Sequence, residues 1–447
     1  MVRDKPAHHR PAALVVRDDN WKPMAWVWLE FLKDGIICAM KNWKKGIALI
    51  LVAIAAVAVS AGCKPETESA PPRVEDTSDI GYVFGTVETF TDPGMIDLPC
   101  LVADAHLRTM HLTYLFNDGG SQRIQYMMFQ NGEIAKSSLL SEHEGTKAGG
   151  GHLAPLPGRL VAYWVNIKAT GGTLWYRIKS GNDDNFTRPE QWNRRNEARW
   201  PVVLDDNGRT NAFFFIHPRS DWELVGNYNF SAEDEQTLDV PQGNPFHLQG
   251  VSGEKGLNCL AYFERESDTD SGRIAFLRST DSGRSFLRKY LFDDLKITNL
   301  SSFFRMERAV KDRDRVIHLI YTEENPDMTT LYYSRSDDDG ENFTVPVAIF
   351  TSEVALARSP LLIANGGNVF IATADTEADG PAIRYVFSND GGQIFSAPKV
   401  ALPGVASPET ITGAMADDGS IIMVWDDLAS DMTDGEQLYK MEGHPAR

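Results

Sequence analysis

Three stretches constrain this chain more than anything else in it: Ser279-Thr-Asp281-Ser-Gly283-Arg-Ser-Phe286, Ser336-Asp-Asp338-Asp-Gly340-Glu-Asn-Phe343 and Ser388-Asn-Asp390-Gly-Gly392-Gln-Ile-Phe395. Each reads S-x-D-x-G-x-x-F, and each follows a run of strand formers such as Leu331-Tyr-Tyr333 or Ile383-Arg-Tyr-Val-Phe387. The pattern has a physical job. Asp accepts hydrogen bonds from turn amides, Gly supplies the positive φ of a tight hairpin, and the aromatic folds back into the core. A single copy is an ordinary hairpin. Copies recurring at roughly 50 residues, in phase with the strand pattern, point to a repeat architecture.

The same unit recurs beyond the three motifs. Strongly apolar second strands fall at 110–116, 160–165, 212–216, 258–263, 316–321, 369–373 and 421–425. Continuous apolar runs of this kind suit strands buried on both faces between neighbouring sheets. In the second unit, Ser180 to Phe186 is a shortened version of the turn motif, and the first and third units lack a recognisable copy. The last unit ends soon after Gln437-Leu-Tyr-Lys-Met441, too early for a fourth strand, while residues 81–89 provide a spare strand at the other end. Pairing the two removes an exposed edge. The expectation is an all-β fold: a seven-bladed β-propeller of four-stranded blades spanning 81–447 and closed by its N-terminal strand, with six blades as the alternative count.

The turn motifs resemble the Asp-box (BNR repeat) of the sialidase or neuraminidase superfamily. In that superfamily the boxes are structural and lie away from catalysis, which removes Asp281, Asp338 and Asp390 as acid/base candidates. Neuraminidases have six blades, so a count of seven departs from them. Their Phe-Arg-Ile-Pro motif is also absent here, the corresponding place reading Asp97-Leu-Pro-Cys100.

Met40-Lys-Asn-Trp-Lys-Lys, an uncharged apolar run over 46–59 and Ser60-Ala61-Gly62-Cys63 resemble a bacterial lipoprotein signal. The apolar run is short of the ~20 residues that cross a bilayer as a helix. The expected organisation is an over-extended start over 1–39, a signal peptide over 40–62, lipidation at Cys63 and a flexible tether over 63–80, rich in Pro, Glu and Ser. Lys64 after Cys63 resembles the sorting signal for the outer membrane of a Gram-negative bacterium. Cys100 and Cys259 are left as unpaired, buried apolar residues.

The net charge of -18 argues against nucleic acid as a partner, and an anionic ligand then requires a local cluster of Arg. Such a cluster is expected at the central mouth. Arg199 and Arg358 each stand two residues before a Pro near the start of a first strand, and counting back from the next strand puts Arg305 in the same register. Convergent guanidinium forks match a carboxylate or sulfate, and neuraminidases hold sialic acid with an arginine triad. The alternative is inter-blade ion pairing with neighbours such as Glu197 or Glu307. Further mouth candidates are Asp97 or Asp118 as an acid, Glu409 as a carboxylate that polarises a Tyr, and His152. The last follows Gly149-Gly-Gly151, a run that reads as a flexible loop. No metal-ligand spacing, phosphate-binding Gly loop or nucleophile elbow occurs, so neither metal nor cofactor is expected.

Three readings follow: a glycan-active enzyme, either a neuraminidase-like hydrolase or a lyase of uronic-acid polysaccharide; a non-catalytic binder of acidic glycan; and a scaffold for another envelope protein. The chain is expected to be monomeric and tied to the membrane by its lipid. Replacing Cys63 with Ser should move the protein from the membrane to the soluble fraction, as read by fractionation. Unchanged membrane association would count against the anchor.

Overall fold

The computed structural model describes residues 70–446 except 76–80, 92–94, 118–120, 142–146, 169–170, 182, 184, 194–197, 207, 219–220, 267–270, 297–303, 309–314, 326, 354–355, 357–358, 378–379, 406–407, 409 and 429–435. The signal, Cys63 and most of the tether lie outside the described residues. No α-helix occurs among the described residues.

Seven antiparallel blades follow in chain order. The first has strands Met95–Ala103, Thr109–Asn117, Gln122–Gln130 and Glu133–Leu139. The second has Lys147–Leu156, Arg159–Lys168, Gly171–Ser180 and Glu190–Gln191, and the third Arg199–Asp206, Arg209–Ile216, Glu223–Tyr228 and Gln236–Asp239. The fourth is built from Asn244–Ser252, Asn258–Arg265, Ser271–Ser279 and Leu287–Tyr290, the fifth from Phe304–Arg308, Ile317–Asn325, Met328–Ser336 and Val347–Ser352. The sixth contains Leu361–Asn365, Asn368–Glu377, Gly380–Ser388 and Lys399–Pro403. The seventh has Ile411–Met415, Ile421–Leu428 and Glu436–Pro445, and its outer edge is supplied by Tyr82–Phe84 and Glu88–Thr89 from the N-terminal side. The first strand of each blade neighbours the first strand of the next, and the seventh returns to the first, closing the ring.

Tyr82 contributes to the closure. It is buried, donates its hydroxyl to the Gly419 carbonyl at 2.8 Å, and packs against Phe370 and Phe387 of the sixth blade. The apolar second strands are the buried middle of each sheet; in the third blade Thr210 to Ile216 are all buried.

The three S-x-D-x-G-x-x-F stretches form the same turn between third and fourth strands. In each, the Ser hydroxyl donates to Asp Oδ1 at 2.7 Å and accepts from the Gly amide at 2.9 Å. The Asp carboxylate collects the amides that follow: Ser285 at 2.9 Å, Asn342 at 2.8 Å and Ile394 at 3.0 Å. These bonds hold Asp281 and Asp338 below the usual carboxylate range, although partial burial opposes them.

Each turn also reaches the preceding blade. Phe286 meets Phe213 edge-on at 5.7 Å, Phe343 meets Phe276 at 5.1 Å and Phe395 meets Tyr333 at 4.7 Å. The degenerate blades do the same with other turns: Phe186 packs on Tyr126, and Phe230 stacks on Tyr176 and Trp192. The box glycines are therefore doubly required. Gly340 has φ +85, and a Cβ there would lie 2.6 Å from Phe276 Cζ of the neighbouring blade.

Gly340→Ala should lower the unfolding free energy by about 2–4 kcal/mol in chemical denaturation. Gly132 shares the φ of +85 but has nothing within 4 Å of an added Cβ. Gly132→Ala should cost only about 1 kcal/mol; equal losses at the two sites would show that the contact between blades carries no weight.

Candidate functional site

Ring closure brings five side chains from the first, second and fifth blades together around the axis. Cys100, His152 and Arg305 stand on first strands, at register positions opposite Thr113, Tyr163 and Ile320 in the middle of their second strands. Glu307 follows Arg305 by two residues, so the strand alternation puts both on one face. The five are electrostatic neighbours: Arg305 acts on Cys100, His152 and Glu307, and Cys100 on Tyr163.

His152 reaches this position through a distorted strand. Gly149-Gly-Gly151 lies within the strand rather than in a loop, and it carries a bulge at Gly150, where φ is +48. A Cβ on Gly150 would come within 3.3 Å of His152 Nε2, and one on Gly151 within 2.5 Å of Ile124 Cγ2. The glycines thus let the backbone and imidazole pack closely. The ring stacks on buried Tyr163 at 5.3 Å with 25° between planes. Bulges with positive φ recur at Leu98, Trp200 and His247 in the first, third and fourth blades. Bulges re-aim side chains, and here they gather at the inner edges of four successive blades.

The electrostatics follow from enclosure. His152 is exposed, yet the strands packed around it desolvate the imidazole, and this, with Arg305 nearby, lowers its pKa to about 4. Burial raises Glu307 to about 7 against the pull of Arg305. Burial also lowers the Arg305 pKa, with Glu307 and Cys100 opposing, and raises the Cys100 thiol and the Tyr163 hydroxyl. Near neutral pH the cluster therefore offers a neutral imidazole, a carboxyl group near half-protonation and a guanidinium. His152 and Glu307 thus have opposite protonation preferences and share Arg305 as a charge neighbour, an arrangement suited to acid/base chemistry.

The remaining expected residues are placed as follows. Arg199 is exposed, and its guanidinium lies 5.3 Å from the Trp222 ring centroid, with Trp200 and His217 also against Trp222. Asp118, Arg358 and Glu409 lie outside the described residues, and Asp97 is described only as part of its strand. Of the two unpaired cysteines, Cys259 is buried as expected, but Cys100 is only half-buried. Among the described residues no group of His, Cys, Asp or Glu is arranged to hold a metal ion.

Tyr163 and Glu307 emerge from the structure as members of the cluster. Tyr163 sits inside an apolar second-strand run, so its sequence context reads as core. Glu307 had a usable signal in its i, i+2 spacing from Arg305.

No protein-family profile matches the chain, and no curated protein matches it. Among solved structures it is similar to an ulvan lyase, described as a new family of polysaccharide lyase, with 12% identity over 78% of this chain and 94% of that chain and a TM-score of 0.54. The same lyase bound to -[GlcA(1-4)Rha3S]- aligns with 12% identity over the same shares of the two chains, at a TM-score of 0.52. A mutant of the NanB sialidase from Streptococcus pneumoniae aligns with 13% identity over 81% of this chain and 70% of that chain, at a TM-score of 0.43. At such identities the likeness concerns the propeller fold, and function rests on the site.

The two shifted groups have opposite linkage to folding. Glu307, raised from 4.5 to about 7, binds its proton more tightly in the folded state, so its contribution is present at acid pH and is lost as pH rises through that window. His152, lowered from 6.5 to about 4, contributes above the upper value and loses that contribution as pH falls. Glu307→Gln removes the falling slope alone. The variant's unfolding free energy should therefore rise more steeply with pH than the wild type's between about 4.5 and 6.5; parallel curves from denaturant titrations would show that Glu307 is not shifted.

Proposed function

We propose that this protein binds an acidic polysaccharide at the propeller axis and cleaves it beside a uronate by β-elimination, and that a lipid on Cys63 holds it at the cell envelope. The observation that carries the reading is the grouping of neutral His152 and proton-retaining Glu307 around Arg305. A lyase needs these three groups. Arg305 pairs with the uronate carboxylate and stabilises the negative charge that spreads onto it as the neighbouring C5–H bond breaks. His152 takes that proton, and its depressed pKa keeps the imidazole free to accept it.

The electron pair from C5–H forms a C4=C5 double bond, and the C4–O glycosidic bond breaks with its electrons going to the leaving oxygen. Glu307 supplies the proton that this oxygen takes up. No water is consumed. The fold neighbour bound to -[GlcA(1-4)Rha3S]- holds a glucuronate beside a sulfated sugar, and this supports an acidic chain as the ligand class. The resemblance of the turn motifs to the Asp-box favours a second reading, sialidase-like hydrolysis, in which water adds across the bond and no double bond forms.

Incubation with a glucuronate-containing sulfated polysaccharide separates the readings. The expected result is rising ultraviolet absorbance from the unsaturated uronate. New reducing ends without that absorbance indicate hydrolysis, binding without products indicates a glycan receptor, and neither indicates an envelope scaffold. His152→Ala should lower kcat by about 10²–10⁴-fold with little change in KM. Arg305→Ala should weaken binding by about 2–5 kcal/mol.

A further inference from the structure

A cleft of about 380 Å³ opens on the fourth blade, at the end opposite its box turn, lined by Gln242, Gly243, Glu264, Glu266 and Arg273. Its volume falls in the ~300–1,000 Å³ range of small-ligand sites. The chemistry differs from that of the axis. Glu264 is 1% exposed, and its Oε1 accepts from Arg273 Nε at 3.1 Å and Nη2 at 2.5 Å. Glu264 Oε2 is buried and has no hydrogen-bond partner among the described residues. Arg273 is fixed from two further sides: Nη2 donates to Gln242 Oε1 at 2.8 Å, and its guanidinium carbon stands 3.8 Å from the Tyr290 ring centroid. Gly243 is required in the wall, since a Cβ there would lie 2.3 Å from the Arg265 carbonyl oxygen.

A buried carboxylate oxygen left without a donor is costly, and a ligand that brings a donor recovers that cost. Two carboxylates against one guanidinium make the lining net negative, which repels uronates and sulfates. Among the described residues no set of metal-ligating side chains occurs here. The remaining chemistry is an uncharged molecule rich in hydroxyl groups. Adjacent hydroxyls of a pyranose ring can donate to Glu264 Oε2 and Glu266 while accepting from Arg273 and the Gln242 amide.

We propose that this cleft is a binding site for a neutral pyranose ring, distinct in charge and position from the acidic-sugar site at the axis. The site stands whether or not the axial cluster cleaves its ligand. The occupant is a neutral unit of the same polysaccharide or a separate saccharide.

Methyl β-D-glucopyranoside and methyl α-L-rhamnopyranoside serve as probes for saturation-transfer NMR and calorimetry on the full chain. Sodium glucuronate and glucosamine serve as the anionic and cationic comparisons. At least one neutral glycoside should bind, Glu264→Gln and Gln242→Ala should each weaken it by about tenfold, and Arg305→Ala should leave it unchanged. A neutral oligosaccharide that binds more tightly than its monosaccharides points to a polysaccharide unit; equal binding points to a free saccharide. The proposal is overturned if neither neutral glycoside binds, if both bind Gln242→Ala as well as wild type, or if glucosamine alone binds and the cleft is an ammonium site. Loss of glycoside binding in Arg305→Ala would place the probe at the axis and overturn it equally.

Discussion

The structure depends on one repeated contact: an aromatic residue and a glycine, offered by the turn between third and fourth strands, pressed against an aromatic ring of the preceding blade. A blade cannot bury both of its faces alone, so a propeller is stable only as far as neighbouring blades interlock. The box turn provides that interlock at a fixed radius. Its internal hydrogen bonds set the turn, the positive φ of its glycine turns the chain, and the missing Cβ lets the ring of the preceding blade approach. Gly392 is the extreme case, since a Cβ there would fall 1.9 Å from Tyr333 Oη. Polar bonds reinforce the same junctions. Arg278 donates to the Asp339 carbonyl at 2.8 Å, and Tyr228 to the Gly283 carbonyl at 2.6 Å, each crossing to the following blade.

Interlocking at the periphery has its consequence at the axis. With blades held at constant radius and the seventh completed by Tyr82–Phe84 and Glu88–Thr89, the first strands form a closed ring, and polar side chains on their inner edges become enclosed without losing contact with water. Enclosure shifts His152 and Glu307 in opposite directions, because desolvation always disfavours the charged form. The bulges at Leu98, Gly150, Trp200 and His247 concentrate backbone distortion on these same strands. Regular turns outside and irregular strands inside divide the labour between holding the ring and shaping what it surrounds.

The two polar centres carry opposite charge preferences. At the axis Arg305 stands with a neutral imidazole, whereas in the cleft Glu264 and Glu266 stand against Arg273. Acidic polysaccharides that alternate charged and uncharged rings present both chemistries along one chain.

The architecture was legible in the sequence because its determinants are local. A box turn is defined by hydrogen bonds within eight residues, from Ser279 to Phe286 for instance, and a buried second strand by its own unbroken apolar run. The spare strand at 81–89 was legible by counting strands. The site was only partly so. Arg305 and His152 could be singled out by residue type and register, but Gly149-Gly-Gly151 read as a flexible loop when it is a bulged strand, since close packing against Thr113 and Ile124 of another blade leaves no local trace. Tyr163 was hidden in an apolar run for the same reason. The sequence by itself determined an all-β ring of repeated blades, the turns that join them and the strand that closes them. Only the tertiary structure decided which of Cys100, His152, Tyr163, Arg305 and Glu307 meet and how their protons are held, because those residues come from three blades and acquire their environment only when the ring is closed.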